Sequence, residues 1–219
     1  MAGNSIQDAK ARTRRIVAES IAFLTPSHRR AASVAVAQRL ANLPSVRAAG
    51  TLMTFLSLPT EIDTWPTIRW AWQEGKRVAV PRIEPVGAGP EVPITGRDMA
   101  AVLLRAADVE GIASHPDVRP GALGILEVPR AAPVPAAEID VLLMPCQAVD
   151  RAGNRLGKGG GFFDRFLARP DMRAERIVVA FHEQIFDEVP VAETDQPIDM
   201  VVTDGEVLTF KRRLVEPRP

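Results

Sequence analysis

The feature that most constrains this chain is an apolar run, Ile139 to Val149, followed after the short Asp150–Asn154 stretch by Arg155-Leu-Gly-Lys-Gly-Gly-Gly-Phe-Phe-Asp-Arg165. The apolar run reads as a buried strand, and Phe162 to Ala168 reads as a helix. Between them, Arg155–Asp164 packs four glycines, a lysine and a carboxylate into ten residues. Strand, glycine loop, helix is an α/β arrangement. Glycines let backbone approach a ligand closely and adopt positive φ. A helix start offers free N–H groups and partial positive charge. Together these form a phosphate cradle. Lys158 adds a cation, and Asp164 is placed to hold a metal ion.

The loop is not a P-loop. That motif sets its lysine after the glycines and a hydroxyl next to the lysine. Here Lys158 precedes three glycines, and no Ser or Thr follows. The dinucleotide pattern G-x-G-x-x-G is also out of register. From the residues alone, a plain glycine turn between strand and helix stays open beside the phosphate cradle.

The rest of the chain alternates. A helix is expected over residues 5–23, with an apolar stripe through Ile6, Ala9, Thr13, Ile16, Val17, Ser20 and Phe23. Thr25-Pro26 caps a second helix running to about Ala41. Leu43-Pro44 ends it, and Val46 to Leu56 is expected as a strand. Thr64 caps a helix through Gln73, whose stripe of Trp65, Trp70 and Trp72 reads as core. Arg77 to Pro81 is a short strand. The Pro/Gly-rich span from Glu84 to Pro93 reads as a loop. Met99 to Arg105 leans towards strand, and Pro116 to Pro135 is loop-rich. Ile139–Met144, Ile177–Phe181 and Met200–Thr203 complete a mostly parallel sheet with helices outside. Lysine, glycines and carboxylates then gather at the carboxyl ends of strands, where open α/β sheets bind ligands.

Composition excludes several classes. Lys plus Arg equals Asp plus Glu at 27 each, so the net charge is zero and no global basic field favours nucleic acid or an anionic membrane. No apolar run approaches the roughly 18 residues of a membrane span, and the first residues lack a signal-peptide core. A cytoplasmic setting is expected. The single cysteine, Cys146, builds no disulfide framework and reads as a small buried residue. The three histidines lie far apart, and without C-x-x-C a zinc site has no support. No G-x-S-x-G nucleophile elbow is present.

Four segments together resemble the 5-formyltetrahydrofolate cyclo-ligase family, whose glycine run reads R-L-G-x-G-x-G-[YF]-[YF]-D. They are Lys10 with Arg14 in K-x-x-x-R spacing, Leu56-Ser-Leu-Pro-Thr-Glu-Ile-Asp-Thr64, the glycine run itself, and Asp195-Gln-Pro-Ile-Asp-Met-Val-Val-Thr203. They stand in the family's order and span nearly the whole chain, with Pro85 to Pro120 the weakest stretch. The resemblance implies one cyclo-ligase-like domain over residues 1–219. It implies a three-layer α/β/α sandwich related to ribose-5-phosphate isomerase and the coenzyme A transferases. It implies an ATP-dependent ligase that forms a carbon–nitrogen bond, converting 5-formyltetrahydrofolate to 5,10-methenyltetrahydrofolate with ADP and phosphate released. ATP is the co-substrate and Mg2+ the cofactor. The partners are small molecules only, and the chain is expected to be a monomer.

Site roles follow from the same resemblance. Lys10, Arg14, Arg155, Leu156, Gly157, Lys158, Gly159, Gly160, Gly161, Phe162 and Phe163 are expected at ATP, with Arg155 and Lys158 catalytic. Leu56, Glu61 and Phe162 are expected at the folate, and Asp164 and Asp199 at the metal, with Asp195 and Asp204 as alternatives to Asp199. Phe162 and Phe163 replace the family's common tyrosine pair, and the chain has no tyrosine at all. An ATP-binding paralogue without the folate reaction, or an isomerase or transferase of the same fold, remains open at this point.

Overall fold

The computed structural model describes residues 2–86, 96–121 and 124–210, with side chains from Ser5 onwards. Part of the Glu84–Pro93 loop and a short piece of the Pro116–Pro135 stretch therefore lie outside the described residues.

Five α-helices are described: α1 Ala2–Ala22, α2 Pro26–Asn42, α3 Pro44–Ala48, α4 Trp65–Gln73 and α5 Phe162–Leu167. The strands of the main sheet are β1 Thr51–Met53, β2 Arg77–Pro85 and β3 Arg97–Leu104, then β6 Val141–Met144, β9 Glu175–Ala180, β11 Met200–Thr203 and β12 Val207–Thr209. Between them lie β4 Arg119–Pro120, β5 Leu126–Glu127, β7 Ala148–Asp150, β8 Arg155–Leu156 and β10 Ile185–Phe186. The main sheet runs β12-β11-β9-β6-β1-β2-β3. Its five central strands pair in parallel. An antiparallel strand closes each edge, β12 on β11 and β3 on β2. A smaller sheet, β10-β7-β8, carries the start of the glycine loop.

Strands buried on both faces read as continuous apolar runs rather than alternating ones. Val141-Leu-Leu-Met144 and Met200-Val-Val-Thr203 are buried at every position. Successive side chains still split between two cores. Leu52, Leu143, Val179 and Val202 face Val36 and Leu40 of α2 and Ile68 of α4. Met53, Leu142, Val178 and Val201 face Phe166 and Leu167 of α5. The result is the expected three-layer arrangement.

Two expectations need correction. The strand expected from Val46 begins only at Thr51. Pro44 stands at a helix N1 position, and α3 forms over Pro44–Ala48. Proline there costs no hydrogen bond and presets φ. The apolar stripe of α1 is also rotated from expectation. Val17 and Ile21 pack against Ala148, Leu156 and Val189, while Ile16 and Phe23 are exposed. The inward face of α1 includes Lys10, a buried cation, which a hydrophobic periodicity does not register.

The helix caps are mixed. The Thr25 hydroxyl accepts from the His28 N–H, and Pro26 opens α2 as expected. Thr64 stands at the N-cap of α4, but its hydroxyl donates to the Phe55 carbonyl at 2.7 Å, and the Asp63 carboxylate accepts from the Trp65 N–H. Trp65 and Trp72 meet edge to face at 5.7 Å, so the tryptophan stripe is core packing.

Candidate active site

A cavity of about 940 Å³ opens at the carboxyl ends of β1 and β6. One wall is the glycine loop, Arg155 to Gly161, leading into α5. Gly159 and Gly161 hold φ of 104° and 65°, in the left-handed region open to glycine. At Gly157 an added Cβ would lie 2.8 Å from the Arg155 guanidinium, so that side chain would have to shift. α5 has only six residues, so its dipole is short. The positive character of this wall comes from the loop backbone and the surrounding cations rather than from the helix.

Those cations come from two ends of the chain. Lys10 and Arg14 lie one turn apart on α1 and both line the cavity. Arg14 Nε donates to the Gly157 carbonyl at 2.9 Å, which ties α1 to the loop. Burial holds the Arg14 pKa below its ordinary value, against the opposing pull of Asp195. Lys10 Nζ donates to Asp195 Oδ2 at 2.5 Å. The same oxygen accepts from the Ala192 N–H.

Arg155, at the end of β8, has a side chain only 3% exposed. Its guanidinium donates to Asp164 Oδ1 at 2.9 Å and lies over the Phe163 ring. The Gln196 N–H donates to the same Asp164 oxygen. Arg155 thus holds a carboxylate from within the protein and also lines the cavity. Lys158 lies at the loop tip, and its Nζ is 2.7 Å from Glu61 Oε1. Glu61 Oε2 accepts from the Leu58 N–H, so the turn after β1 fixes that carboxylate.

Leu56, Glu61, Phe162, Phe163 and Asp164 all line the cavity. Asp199 does not. Its Oδ2 accepts from the Arg176 N–H, and its own N–H and carbonyl bond Arg176 and Phe210. That bonding fixes Asp199 at the start of β11, between β9 and the segment after β12. Asp195 reaches the cavity in its place. Asp204 also stands elsewhere, accepting from the His182 N–H.

Sequence reasoning missed the apolar end. Antiparallel register sets Ile83 of β2 opposite Met99 of β3, and both line the cavity with Ile125. No local motif marks these residues. Cys146 also lines it, but burial pushes its thiol up to about 12, with Arg155 opposing, so it stays protonated at neutral pH. Among the described residues no three His, Cys, Asp or Glu side chains are grouped to hold a metal. No described helix is long and apolar enough to cross a membrane.

Fold and site together define a parallel-sheet α/β protein in which a cation-rich glycine loop meets an apolar cavity. The chain matches the 5-formyltetrahydrofolate cyclo-ligase family over residues 6–204, and it belongs to that family. It is 31% identical over 185 residues to the Escherichia coli K12 5-formyltetrahydrofolate cyclo-ligase, covering 84% of this chain and 94% of that one. It is 25% identical over 207 residues to the Mus musculus enzyme of the same name, covering 92% and 97%. Among solved structures, Aquifex aeolicus 5,10-methenyltetrahydrofolate synthetase superposes with a TM-score of 0.75 at 24% identity, covering 95% of this chain and 96% of that one. The Mycoplasma pneumoniae synthetase gives 0.66 at 15% identity, covering 89% and 98%. The last two likenesses concern the fold.

Proposed function

We propose that this chain closes the ring of 5-formyltetrahydrofolate to 5,10-methenyltetrahydrofolate, using ATP and releasing ADP and phosphate. The observation that carries this reading is one cavity joining the glycine loop, with Lys10 and Arg14, to Glu61 and an apolar end. An amide-like formyl oxygen is a poor leaving group. Transfer of the γ-phosphoryl group to that oxygen makes it a good one. The neighbouring folate nitrogen attacks the formyl carbon and gives up its proton to solvent, and the carbon–oxygen bond breaks as phosphate departs. Positioning and charge stabilisation supply most of the catalysis.

In this reading Lys10, Arg14, Lys158 and the loop N–H groups hold the triphosphate. The Glu61 carboxylate accepts from folate N–H donors, and Leu56 and Phe162 pack on the rings. The two carboxylates suited to Mg2+ are Asp164 and Asp195. Among the described residues, each is fixed by hydrogen bonds through one oxygen and keeps its second oxygen outside them. Two hard oxygen donors beside a phosphate site fit an ion that takes one or two carboxylates and fills its shell with water and phosphate. Bound there, Mg2+ would neutralise charge on the transferring phosphates. Arg155 positions Asp164. The working unit is the single domain, monomeric and cytoplasmic, that the sequence suggested.

The test is direct. Purified protein given 5-formyltetrahydrofolate should produce the ultraviolet absorbance of methenyltetrahydrofolate only with ATP and Mg2+, with one ADP per turnover. Nucleotide binding without folate turnover would instead favour an ATP-binding paralogue. Glu61→Gln should weaken folate binding by about tenfold or more, since hydrogen bonds to charged groups are worth roughly 1.5–3 kcal/mol. ATP binding should change far less. Separate titrations of the two ligands check this, and equal losses would indicate a folding defect.

A further inference from the structure

The Lys158–Glu61 ion pair joins two groups that the cyclo-ligase reading gives to different substrates. The Glu61 side chain is 8% exposed, and one of its oxygens is already fixed by the Leu58 N–H. Its other oxygen, Oε1, is held by Lys158, whose side chain is 46% exposed. The cavity's other ion pairs are more enclosed on the basic side, where the Lys10 side chain is 7% exposed and that of Arg155 is 3%. Of these three cations, Lys158 is the one with room to change partner. It sits at a glycine-flanked loop tip, on a flexible four-carbon stem ending in a compact charge.

We propose that Lys158 exchanges partners, and that this exchange makes the two substrates bind cooperatively. With no nucleotide present, Lys158 occupies Glu61 Oε1, and a folate N–H donor must compete with an ammonium for that oxygen. When a triphosphate fills the glycine loop, its larger negative charge draws Lys158 away. Glu61 Oε1 is then left enclosed without the Lys158 ammonium, a state that is costly and that a folate N–H relieves. Nucleotide binding thus prepares the folate site. By linkage, folate tightens nucleotide binding by the same factor.

This inference rests on the folate and ATP reading of the cavity, and the experiment separates the two. 5-Formyltetrahydrofolate is titrated calorimetrically with and without a non-hydrolysable ATP analogue plus Mg2+, in the wild type, Lys158→Met and Lys158→Arg. The wild type is also assayed for turnover with ATP. In the wild type the analogue should tighten folate binding by about tenfold, an ordinary coupling strength. In Lys158→Met that ratio should fall to about one, and folate without nucleotide should bind more tightly than to the wild type. Lys158→Arg, which keeps the charge, should retain part of the coupling. Lys158 is half exposed, so the Met variant should fold, and a melting curve confirms it. A wild type that turns over folate yet shows no coupling, or a Met variant with coupling unchanged, overturns the exchange and leaves the cyclo-ligase reading intact. A wild type that neither binds nor turns over the folate overturns the reading and the exchange together.

Discussion

Asp164→Asn should lower turnover by about ten- to a hundredfold and shift the Mg2+ dependence to higher concentration. Asn keeps an oxygen to accept from Arg155 and from the Gln196 N–H, the two donors that hold Asp164 Oδ1. The fold should therefore survive. What is lost is the charge on the second oxygen. A charged ligand of hydrogen-bond-like worth contributes roughly 1.5–3 kcal/mol, and each 1.4 kcal/mol is about a tenfold change in rate. Rate measured against Mg2+ concentration, with a melting curve alongside, checks the assignment. Partial recovery at high Mg2+ supports a metal role. An unshifted Mg2+ curve with a lowered melting point would leave Asp164 as a structural acceptor.

Arg155→Leu should be the most damaging single change in the site. The Arg155 side chain is 3% exposed and that of Asp164 is 19%. Removing one partner of a buried ion pair costs about 3–5 kcal/mol, because the other charge is left uncompensated. Asp164 keeps some solvent contact, so the lower end applies. At roughly 2–4 °C per kcal/mol for a chain of this size, the melting temperature should fall by about 6–12 °C. Catalysis should fall by about a hundredfold or more, since Asp164 would no longer be aimed at the phosphates. Arg155→Lys retains the charge but not the flat fork that reaches Asp164 over the Phe163 ring. It should recover stability more than activity. Melting and steady-state rates on both variants decide the matter. A Leu variant with wild-type melting would show that the pair contributes little.

Much of this was legible in the sequence, for local reasons. The buried parallel strands showed as continuous apolar runs, and the glycine loop showed as a loop because left-handed backbone at Gly159 and Gly161 needs glycine. Lys10 and Arg14 were different. Their spacing shows only that they share a helix face, and family resemblance supplied the rest. That Asp195 lines the cavity and Asp199 does not is geometry that spacing does not carry. The chain turns at Ala192–Asp195, where the Asp195 N–H donates to the Ala192 carbonyl. That turn aims Asp195 at Lys10, while the next strand takes up Asp199. The apolar end of the cavity was illegible, because the β2–β3 register brings Ile83 and Met99 together. The α3 turn was missed because Val46 to Leu56 looks equally apolar in helix and strand.

The Lys10–Asp195 pair links positions 185 residues apart, and that distance sets an order of events. As the chain is synthesised, α1 emerges well before Asp195. Strands β1, β2, β6 and β9 are already made by then, and their neighbours lie closer along the chain. Closing the longest loop carries the largest entropic cost and gains its contact only at the end. The polypeptide therefore acquires its architecture before its chemistry. A chain arrested between residues 180 and 195 carries β1, β2, β3, β6 and β9 of the main sheet and a Lys10 without its Asp195 partner. On the proposed reading, nucleotide binding then depends on a contact that forms only after those strands exist.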